Sequence, residues 1–199
     1  RIEEAKARGE GIKVTLPEGA QKDGTRFATT PFDIALGIHK KLAQSALVAK
    51  VGGEFWDMRR PLEGDCALAL FTFDDKEGKE LYWHSSAHVL GEALELEYGA
   101  DLTIGPAIEE GFYYDCYLGE RTLTPEDTEI IKGRMEKIIK EKQEFQRIVV
   151  SRAEALEMFE ENKFKIELIS NLPEDATISC YRCGPMVDLC RGPHLPDTA

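Results

Sequence analysis

Histidine and cysteine side chains are concentrated in two short segments that lie far apart in the chain. Three of the four histidines are in these segments: His84 and His88 in WHSSAHVLGEA, and His194 in VDLCRGPH, four residues after Cys190. Imidazole nitrogen and thiolate sulfur are ligands that zinc takes in proteins. The same groups can also hold water and move protons. We therefore expect the fold to bring the two segments together, with Asp188 beside them, around one pocket.

The residue types alone leave three interpretations of this pocket open. It is a zinc site, a metal-free hydrolytic pocket in which the same groups position water, or a set of ordinary hydrogen-bonding side chains. One pair of histidines four residues apart on a helix most often belongs to the third class. The second pair, Cys190 and His194, together with Asp188, favours a functional site.

The first histidine pair lies in a segment with a helical pattern, predicted over residues 81–98 and ended by Gly99. His84, His88 and Gly91 then share one face, at positions i, i+4 and i+7. Glycine at the third position removes bulk beside the histidines. This suits a pocket floor that contacts substrate, and it equally suits close packing of the helix against a strand.

Cys180 and Cys183 are separated by two residues, a spacing found in zinc and redox sites. A structural zinc needs two further ligands at comparable spacing, and none is nearby. A redox pair normally begins a helix, which the following Gly184-Pro185 disfavours. We predict two buried or half-buried thiols.

Composition limits the class of protein and its partners. The 199 residues carry 25 basic and 37 acidic side chains, a net charge of −12, which argues against non-specific binding of polyanions. Five cysteines, an odd number without a dense framework, predict a reduced, intracellular protein. No apolar run approaches the roughly 18 residues of a membrane span, and no signal peptide is visible.

The first third of the chain predicts a small α+β domain that resembles a β-grasp and ends near Phe73. GIKVTLP and TRFATT are predicted strands around a turn in EGAQKDG. A helix capped by Thr30 and continuing towards Leu42 follows. Next come a hairpin turning at Gly52-Gly53 and the strand DCALALFTF. The charged segment DDKEGKE is predicted to be a turn-rich boundary.

The remaining residues predict a second α+β region. A hairpin is expected in DLTIGPAIEEGFYYDCYL, a capped helix from Thr124 to about Lys142, and a strand in EFQRIVV. Ser151 and Glu154 form a capping box that starts a short helix. FKIELIS is ambiguous between helix and strand, and TISCYRCG is a predicted strand. The residues of the capped helix expected to face inward are Ile131, Met135, Ile138 and Ile139.

Three segments, HSSAHVLGEA, GFYYD and YRCGPMVDLCRGPH, closely resemble the N-terminal region of threonyl-tRNA synthetases of the eukaryotic cytosolic type. VGGEFWDMRRPLEGDCALALFTFDD resembles the end of their TGS domain. The resemblance implies an α+β chain in three parts. These are a lead-in helix or linker at 1–10, a ubiquitin-like β-grasp TGS domain at 11–75, and an editing domain with antiparallel sheet and helices at 76–199.

The resemblance also implies a function and a set of site residues. The family's editing domain hydrolyses seryl-tRNA(Thr), and the related alanyl editing domains hold zinc on the same His/Cys pairs. The threonyl type is thought to work without metal. By motif, the residues that carry catalysis are His84, His88, Lys165, Cys190 and His194, and those that bind substrate are Asp188, Tyr181 and Gly91. Lys165 and Tyr181 are the looser matches.

Further expectations follow from the resemblance. The partner is the 3′ end of tRNA(Thr) carrying serine, without a membrane, and the location is cytoplasmic. The aminoacylation domain, which would use ATP, Mg and Zn, and the anticodon-binding domain fall outside this sequence. We therefore expect no cofactor here and a monomeric fragment. Two alternatives are a non-catalytic module that positions the tRNA acceptor arm and a zinc-dependent hydrolase of another aminoacyl ester.

Overall fold

The computed structural model describes residues 9–199, so the lead-in predicted at 1–10 lies almost wholly outside the described residues. The chain divides into two compact units. The first ends at Tyr82 and also takes in Pro193–Pro196; the second comprises Trp83–Gly192 and Asp197–Ala199. The predicted domain boundary at residues 75 and 76 stays a prediction.

Between residues 9 and 75, the first unit contains a five-stranded mixed sheet and two short helices. Its strands occur in the order β2-β1-β5-β3-β4, with β1 and β5 parallel and the other neighbours antiparallel. This arrangement confirms the predicted β-grasp. The elements are β1 (Gly11–Thr15), β2 (Gln21–Thr25), α1 (Pro31–Ile38), α2 (Lys40–Ser45), β3 (Ala46–Val51), β4 (Glu54–Trp56) and β5 (Cys66–Thr72).

Local sequence sets the start of α1, and burial keeps it on the sheet. Thr30 and Asp33 form a reciprocal capping box, and Pro31 occupies the first turn, as the sequence predicts. Ile34 is buried in the same apolar cluster as Leu68 of β5. Complete burial of such a side chain contributes about 1.5–3 kcal/mol, which exceeds the contribution of one cap.

The second strand is not where the sequence placed it. The strand predicted in TRFATT is wrong except for its first residue, since β2 is Gln21–Thr25 and its first four residues belong to the segment predicted to be a turn. All five of its residues pair with β1, so backbone hydrogen bonds hold this polar stretch in the sheet. The chain then leaves the sheet at Phe27, whose φ is 58°.

The helix predicted to continue towards Leu42 is two helices. The chain is extended at His39, with φ −161° and ψ 133°, and the His39 side chain accepts a hydrogen bond from the Lys41 N–H. Because the His39 side chain caps α2, the Lys41 N–H has a hydrogen-bond partner although it lies in the first turn of a new helix.

The second unit is α+β with an antiparallel three-stranded sheet in the order β10-β11-β12, as predicted for this half of the chain. Two short pairs, β6 with β9 and β7 with β8, form the expected hairpin region. The elements are α3 (Lys76–Tyr98), β6 (Asp101–Leu102), β7 (Ala107–Ile108), β8 (Gly111–Phe112), β9 (Cys116–Tyr117), α4 (Pro125–Glu141), β10 (Phe145–Val150), α5 (Arg152–Met158), α6 (Lys163–Ser170), β11 (Ile178–Cys183) and β12 (Met186–Leu189).

Helix α3 begins five residues before the predicted start, at Lys76, so most of DDKEGKE is helical rather than turn. The Asp75 carboxylate accepts hydrogen bonds from the backbone N–H of Thr72 and, at 3.0 Å, from its hydroxyl. A Cβ at Gly78 would overlap the Thr72 carbonyl. Glycine at this position therefore lets the helix start directly against the end of β5.

The capping signals in the second unit are confirmed. Thr124 and Ser151 each form a complete capping box, and the ambiguous FKIELIS segment is helix α6. Ile138 is buried as predicted, but the inward prediction for Ile139 is wrong, because it is 42% exposed. Successive helical residues point about 100° apart, and Ile139 lies to the exposed side of the face that Ile138 presents to the core.

No helix within residues 9–199 combines the length and the apolar character required to cross a membrane.

Candidate functional site

The fold brings the first histidine segment to the terminal cysteine. Nε2 of His84, on α3, lies 3.1 Å from Sγ of Cys190, which directly follows β12. The ligand atoms of His84, His88 and Cys190 all lie within 4.8 Å of one another. The predicted meeting of these segments is therefore confirmed for these three residues.

Backbone contacts place the Cys190 thiol. Its N–H donates to the Ser179 carbonyl at 3.1 Å, and the Ser179 hydroxyl donates to the Cys190 carbonyl at 2.7 Å. The Gly192 N–H donates to Sγ at 3.2 Å. These contacts continue the β11–β12 ladder past its last paired strand residue, so the thiol sits at a defined point beside α3.

A buried ion pair lies beside the histidines. The Lys165 ammonium, on α6, donates to the Asp188 carboxylate and, at 2.6 Å, to the Thr103 carbonyl. Both charged side chains are about 3% exposed. His88 Nε2 is 3.6 Å from the same carboxylate, and the His84 and His88 rings meet edge to face at 5.1 Å between centroids. Lys165, one of the two residues that matched the family less closely in sequence, therefore belongs to the same polar network as Asp188 and His88.

Tyr114 belongs to this network, although the sequence did not identify it as a site residue. Its hydroxyl donates to the Asp188 carboxylate, and its ring lies 6.2 Å from that of His88. Tyr113 beside it is 41% exposed, against 8% for Tyr114. The GFYYD motif signals buried aromatic surface, but the choice between adjacent tyrosines depends on tertiary packing.

Two glycines make room for the Tyr114 ring. A Cβ at Gly91 would lie 2.8 Å from Cε2 of Tyr114, and a Cβ at Gly105 would overlap the same ring. Gly91 therefore allows close packing of α3, which is one of the two interpretations that its position permits. Direct contact between Gly91 and substrate stays a prediction.

Tyr181 lies on β11 directly opposite Asp188 in the antiparallel register and is 1% exposed. A Cβ at Gly192, which has φ 67°, would fall on the Tyr181 hydroxyl. Tyr181 thus packs against the turn that carries Cys190, and its contact with substrate stays a prediction.

His194 is buried and lies in the stretch that groups with the first unit. There its backbone N–H donates to Asp57 Oδ1 at 2.9 Å.

Burial sets the protonation of the site. It lowers the pKa of His84, an effect that the Asp188 charge and a backbone contact at Gly105 oppose, and it lowers the pKa of His88 to about 4. Burial, reinforced by Asp188, raises the pKa of the Tyr114 hydroxyl. At neutral pH the site therefore holds uncharged imidazoles, which can accept a proton from water, and a protonated phenol.

The same donors fit a zinc ion by their chemistry. Two neutral imidazoles and one thiol supply nitrogen and sulfur ligands, and zinc with three protein ligands keeps a position open for water.

The cysteine pair Cys180 and Cys183 does not belong to this group of possible zinc ligands. Cys180 and Cys183 are both buried in β11, as predicted, and burial raises the pKa of Cys180 to about 11, so that its thiol stays protonated.

Comparison with known proteins gives one family match and a set of close relatives. Residues 12–72 match the TGS domain. The chain is 56% identical over 190 residues to threonine–tRNA ligase, mitochondrial 1, of Arabidopsis thaliana, covering 94% of this chain and 27% of that protein. It is 53% identical over 191 residues to the probable threonine–tRNA ligase 1, cytoplasmic, of Dictyostelium discoideum, covering 96% and 27%. Against threonine–tRNA ligase 1, cytoplasmic, of Homo sapiens, identity is 48% over 196 residues, covering 98% and 27%. This chain thus spans about a quarter of the length of these relatives.

Proposed function

Nearly the whole of this chain is related in sequence to threonine–tRNA ligases, and on that premise we propose that its second unit is an editing site that hydrolyses seryl-tRNA(Thr). The products are serine and tRNA. The observation that carries the proposal is the buried Lys165–Asp188 pair beside the neutral imidazoles of His84 and His88 and the Cys190 side chain. A hydrolase needs such uncharged bases and a fixed charge in one place.

The proposed substrate follows from a limit on selectivity. Serine lacks one methyl group of threonine, and a missing methyl or methylene is worth only about 1–3 kcal/mol in a binding pocket. A ligase therefore gains accuracy from a second, smaller site that admits the serine ester and excludes the threonine ester. We assign the wall that meets the threonine methyl to His84 or its adjacent backbone.

The proposed reaction adds water to the ester carbonyl that joins serine to the terminal ribose. The water loses a proton, the carbonyl oxygen becomes an oxyanion, and the ribose oxygen leaves with a proton. We assign water and proton handling to Lys165, and positioning to His84 and His88. The catalytic role of His194, which groups with the first unit, stays a prediction of the resemblance. Asp188 accepts a hydrogen bond from the substrate ammonium or hydroxyl, and Cys190 forms a polar wall.

The primary experiment compares deacylation of seryl-tRNA(Thr) and threonyl-tRNA(Thr) by wild type and His84→Ala. The matched control is His39→Ala, which changes the histidine that lies outside both segments, in the first unit. We expect wild type and His39→Ala to hydrolyse the serine ester selectively. We expect the rate of serine-ester hydrolysis to fall roughly 100-fold or more in His84→Ala, as for loss of a group that positions the reacting atoms. Equal turnover by His84→Ala and wild type would refute the site.

A second experiment tests whether Cys190 is a polar wall of the pocket or a covalent nucleophile. Cys190→Ser keeps a small polar group at the position and is expected to retain most of the deacylation. Trapping a seryl thioester on wild-type Cys190 would overturn this assignment, because a covalent intermediate requires the thiol as the attacking group.

A zinc-dependent hydrolase is the second candidate, because the three donors of the site are zinc ligands by type. Metal analysis of the purified protein, combined with deacylation before and after chelation, separates the two. The editing proposal expects activity without bound zinc and no change on chelation. Stoichiometric zinc whose removal abolishes activity would favour the second candidate.

The partner follows from the substrate. We propose that this chain contacts the 3′ end of tRNA(Thr) in the cytoplasm, as a monomer when isolated. Its net charge of −12 offers few phosphate contacts, so we expect weak binding of tRNA. A sub-micromolar dissociation constant at physiological salt would contradict this. Tight binding without any turnover would instead indicate a module that positions the acceptor arm.

A further inference from the structure

Lys165 is held between two oxygen acceptors on different elements. Its ammonium donates to the Thr103 carbonyl, just after β6, and to the Asp188 carboxylate in β12. Thr103 is itself fixed, because its N–H and hydroxyl both donate to the Asp115 carbonyl, at 2.9 and 2.8 Å. The geometry around the ammonium therefore depends on where α6 places the backbone of Lys165 relative to β6.

One side chain, Asn162, joins these two backbone segments. Its Oδ1 accepts from the Phe164 and Lys165 N–H groups, both at 3.1 Å, and so caps α6. Its Nδ2 donates to the Leu102 carbonyl in β6 at 2.9 Å. The amide thus bonds to the backbone of Lys165 itself and to the residue before Thr103, whose carbonyl accepts from the Lys165 ammonium.

Helix α6 needs such an attachment because it is only eight residues long, and a helix of this length is not stable alone. Its far end is held separately. The Arg152 guanidinium donates to the Ile169, Leu172 and Pro173 carbonyls, the last two at 2.8 and 2.7 Å. Of these two attachments, the Asn162 amide is the one next to Lys165.

We propose that Asn162 is a positioning residue, which ties the first turn of α6 to β6 and so fixes the Lys165 ammonium between the Thr103 carbonyl and the Asp188 carboxylate. The effect of Asn162 on catalysis rests on the proposed hydrolysis, whereas its effect on the position of Lys165 is independent of that proposal. The side chain acts through Lys165 and makes no contact with substrate.

Two substitutions separate this role from simple helix capping. Asn162→Asp keeps an oxygen that caps α6, and aspartate caps as well as asparagine. It lacks the amide donor and places an oxygen against the Leu102 carbonyl. Asn162→Ala loses both functions. The control, Thr124→Ala, removes a cap of similar strength from α4, whose capping box does not involve Lys165.

The first measurement is acetylation of individual lysines by acetic anhydride, followed by mass spectrometry. In wild type, Lys165 should react far more slowly than exposed Lys163, which serves as the internal reference. We expect Lys165 labelling to rise roughly tenfold in Asn162→Asp and Asn162→Ala, as the population that opens to reagent grows, and to be unchanged in Thr124→Ala. If Lys165 were acetylated no faster in Asn162→Asp than in wild type, the proposal would be overturned.

The second measurement is steady-state deacylation of seryl-tRNA(Thr). We expect kcat to fall about tenfold in both Asn162 variants, with KM within about twofold of wild type, because a misplaced group weakens the transition state more than binding. Raised labelling with unchanged kcat would overturn the catalytic role of the position. A wild type without turnover would refute the proposed hydrolysis, while the labelling would still decide whether Asn162 places Lys165.

Discussion

The cores of the two units differ in chemistry. The buried cluster of the first unit consists of apolar side chains such as Val14, Leu62 and Leu68, and one ionisable side chain, His194, is buried among the described residues that group with this unit. The second unit buries ionisable groups among its apolar clusters, including His88, Glu92, Lys165 and Asp188. A buried ion pair is at best a weak source of stability compared with well-packed apolar groups. The difference supports the proposal that the second core holds a site in addition to its role in folding.

The largest effect should come from breaking the ion pair. Lys165→Ala leaves the Asp188 charge buried without its ammonium partner, and we expect a loss of about 3–5 kcal/mol in unfolding free energy. Urea unfolding, followed by Trp83 fluorescence in a Trp56→Phe background, reports on the second unit. The double variant Lys165→Met/Asp188→Leu should regain much of the loss. A double variant no more stable than the single one would contradict this account of the second core.

The matched change in the first unit is Leu68→Ala. It removes a fully buried side chain and leaves a cavity, so we expect a loss of about 2–4 kcal/mol, in the range for such truncations. Trp56 fluorescence in a Trp83→Phe background follows this unit. Deacylation measured at a temperature where the variant is folded should stay close to wild type. A large loss of kcat under those conditions would break the division of roles between the two cores.

The buried histidine His88 should make the stability of the second unit depend on pH. His88 is uncharged in the folded protein with a pKa of about 4, below the unfolded value of about 6.5, so the unfolded chain binds the proton first. The contribution is therefore fully present above pH 6.5 and is lost as pH falls towards 4. We expect His88→Gln to reduce this loss by about 3 kcal/mol, measured by Trp83-monitored urea unfolding. Identical pH profiles for both proteins would contradict burial of a neutral imidazole.

The smallest effect concerns Glu92, a buried carboxyl on α3. One oxygen accepts from Gln143 at 2.9 Å, and Oε2 has no hydrogen-bond partner among the described residues. Burial raises the pKa of this carboxyl, so its contribution to stability is present below about pH 4.5 and is lost as pH rises through the folded value. Glu92→Gln should therefore be more stable than wild type at pH 8, by up to about 1 kcal/mol, and equal at pH 4. A variant less stable at pH 8 would show that the carboxylate is needed.

Local signals in the sequence predicted much of the fold. The capping residues Thr30, Thr124 and Ser151 identified three helix starts, because a cap involves only residues within one turn. The glycine pair at 52 and 53 identified a hairpin for the same reason. Strand β2 was missed, because its polar QKDGT sequence is held by hydrogen bonds to β1 rather than by any preference of its own.

Part of the site could be anticipated in the same way. The spacing of His84 and His88 on one helix face, and the chemistry of Cys190, indicated which groups would meet. Asp188 was expected beside the histidines because it lies two residues before Cys190, whereas Lys165 entered through the family resemblance, since an isolated lysine carries no signal of burial. Tyr114 and Asn162 were not identified as site residues, because each acts through partners that are distant in sequence.

The sequence by itself determined the helix starts, the central hairpin, the pairing of histidine and cysteine chemistry, and the relationship to threonine–tRNA ligases. These depend on short-range steric and hydrogen-bonding rules or on residue identity. Only the tertiary structure decided that α6 brings Lys165 to Asp188 and that the β11–β12 register sets Tyr181 opposite that carboxylate. Register and the placement of a short helix are collective outcomes of burial and backbone pairing across distant segments, so no single stretch of the chain specifies them.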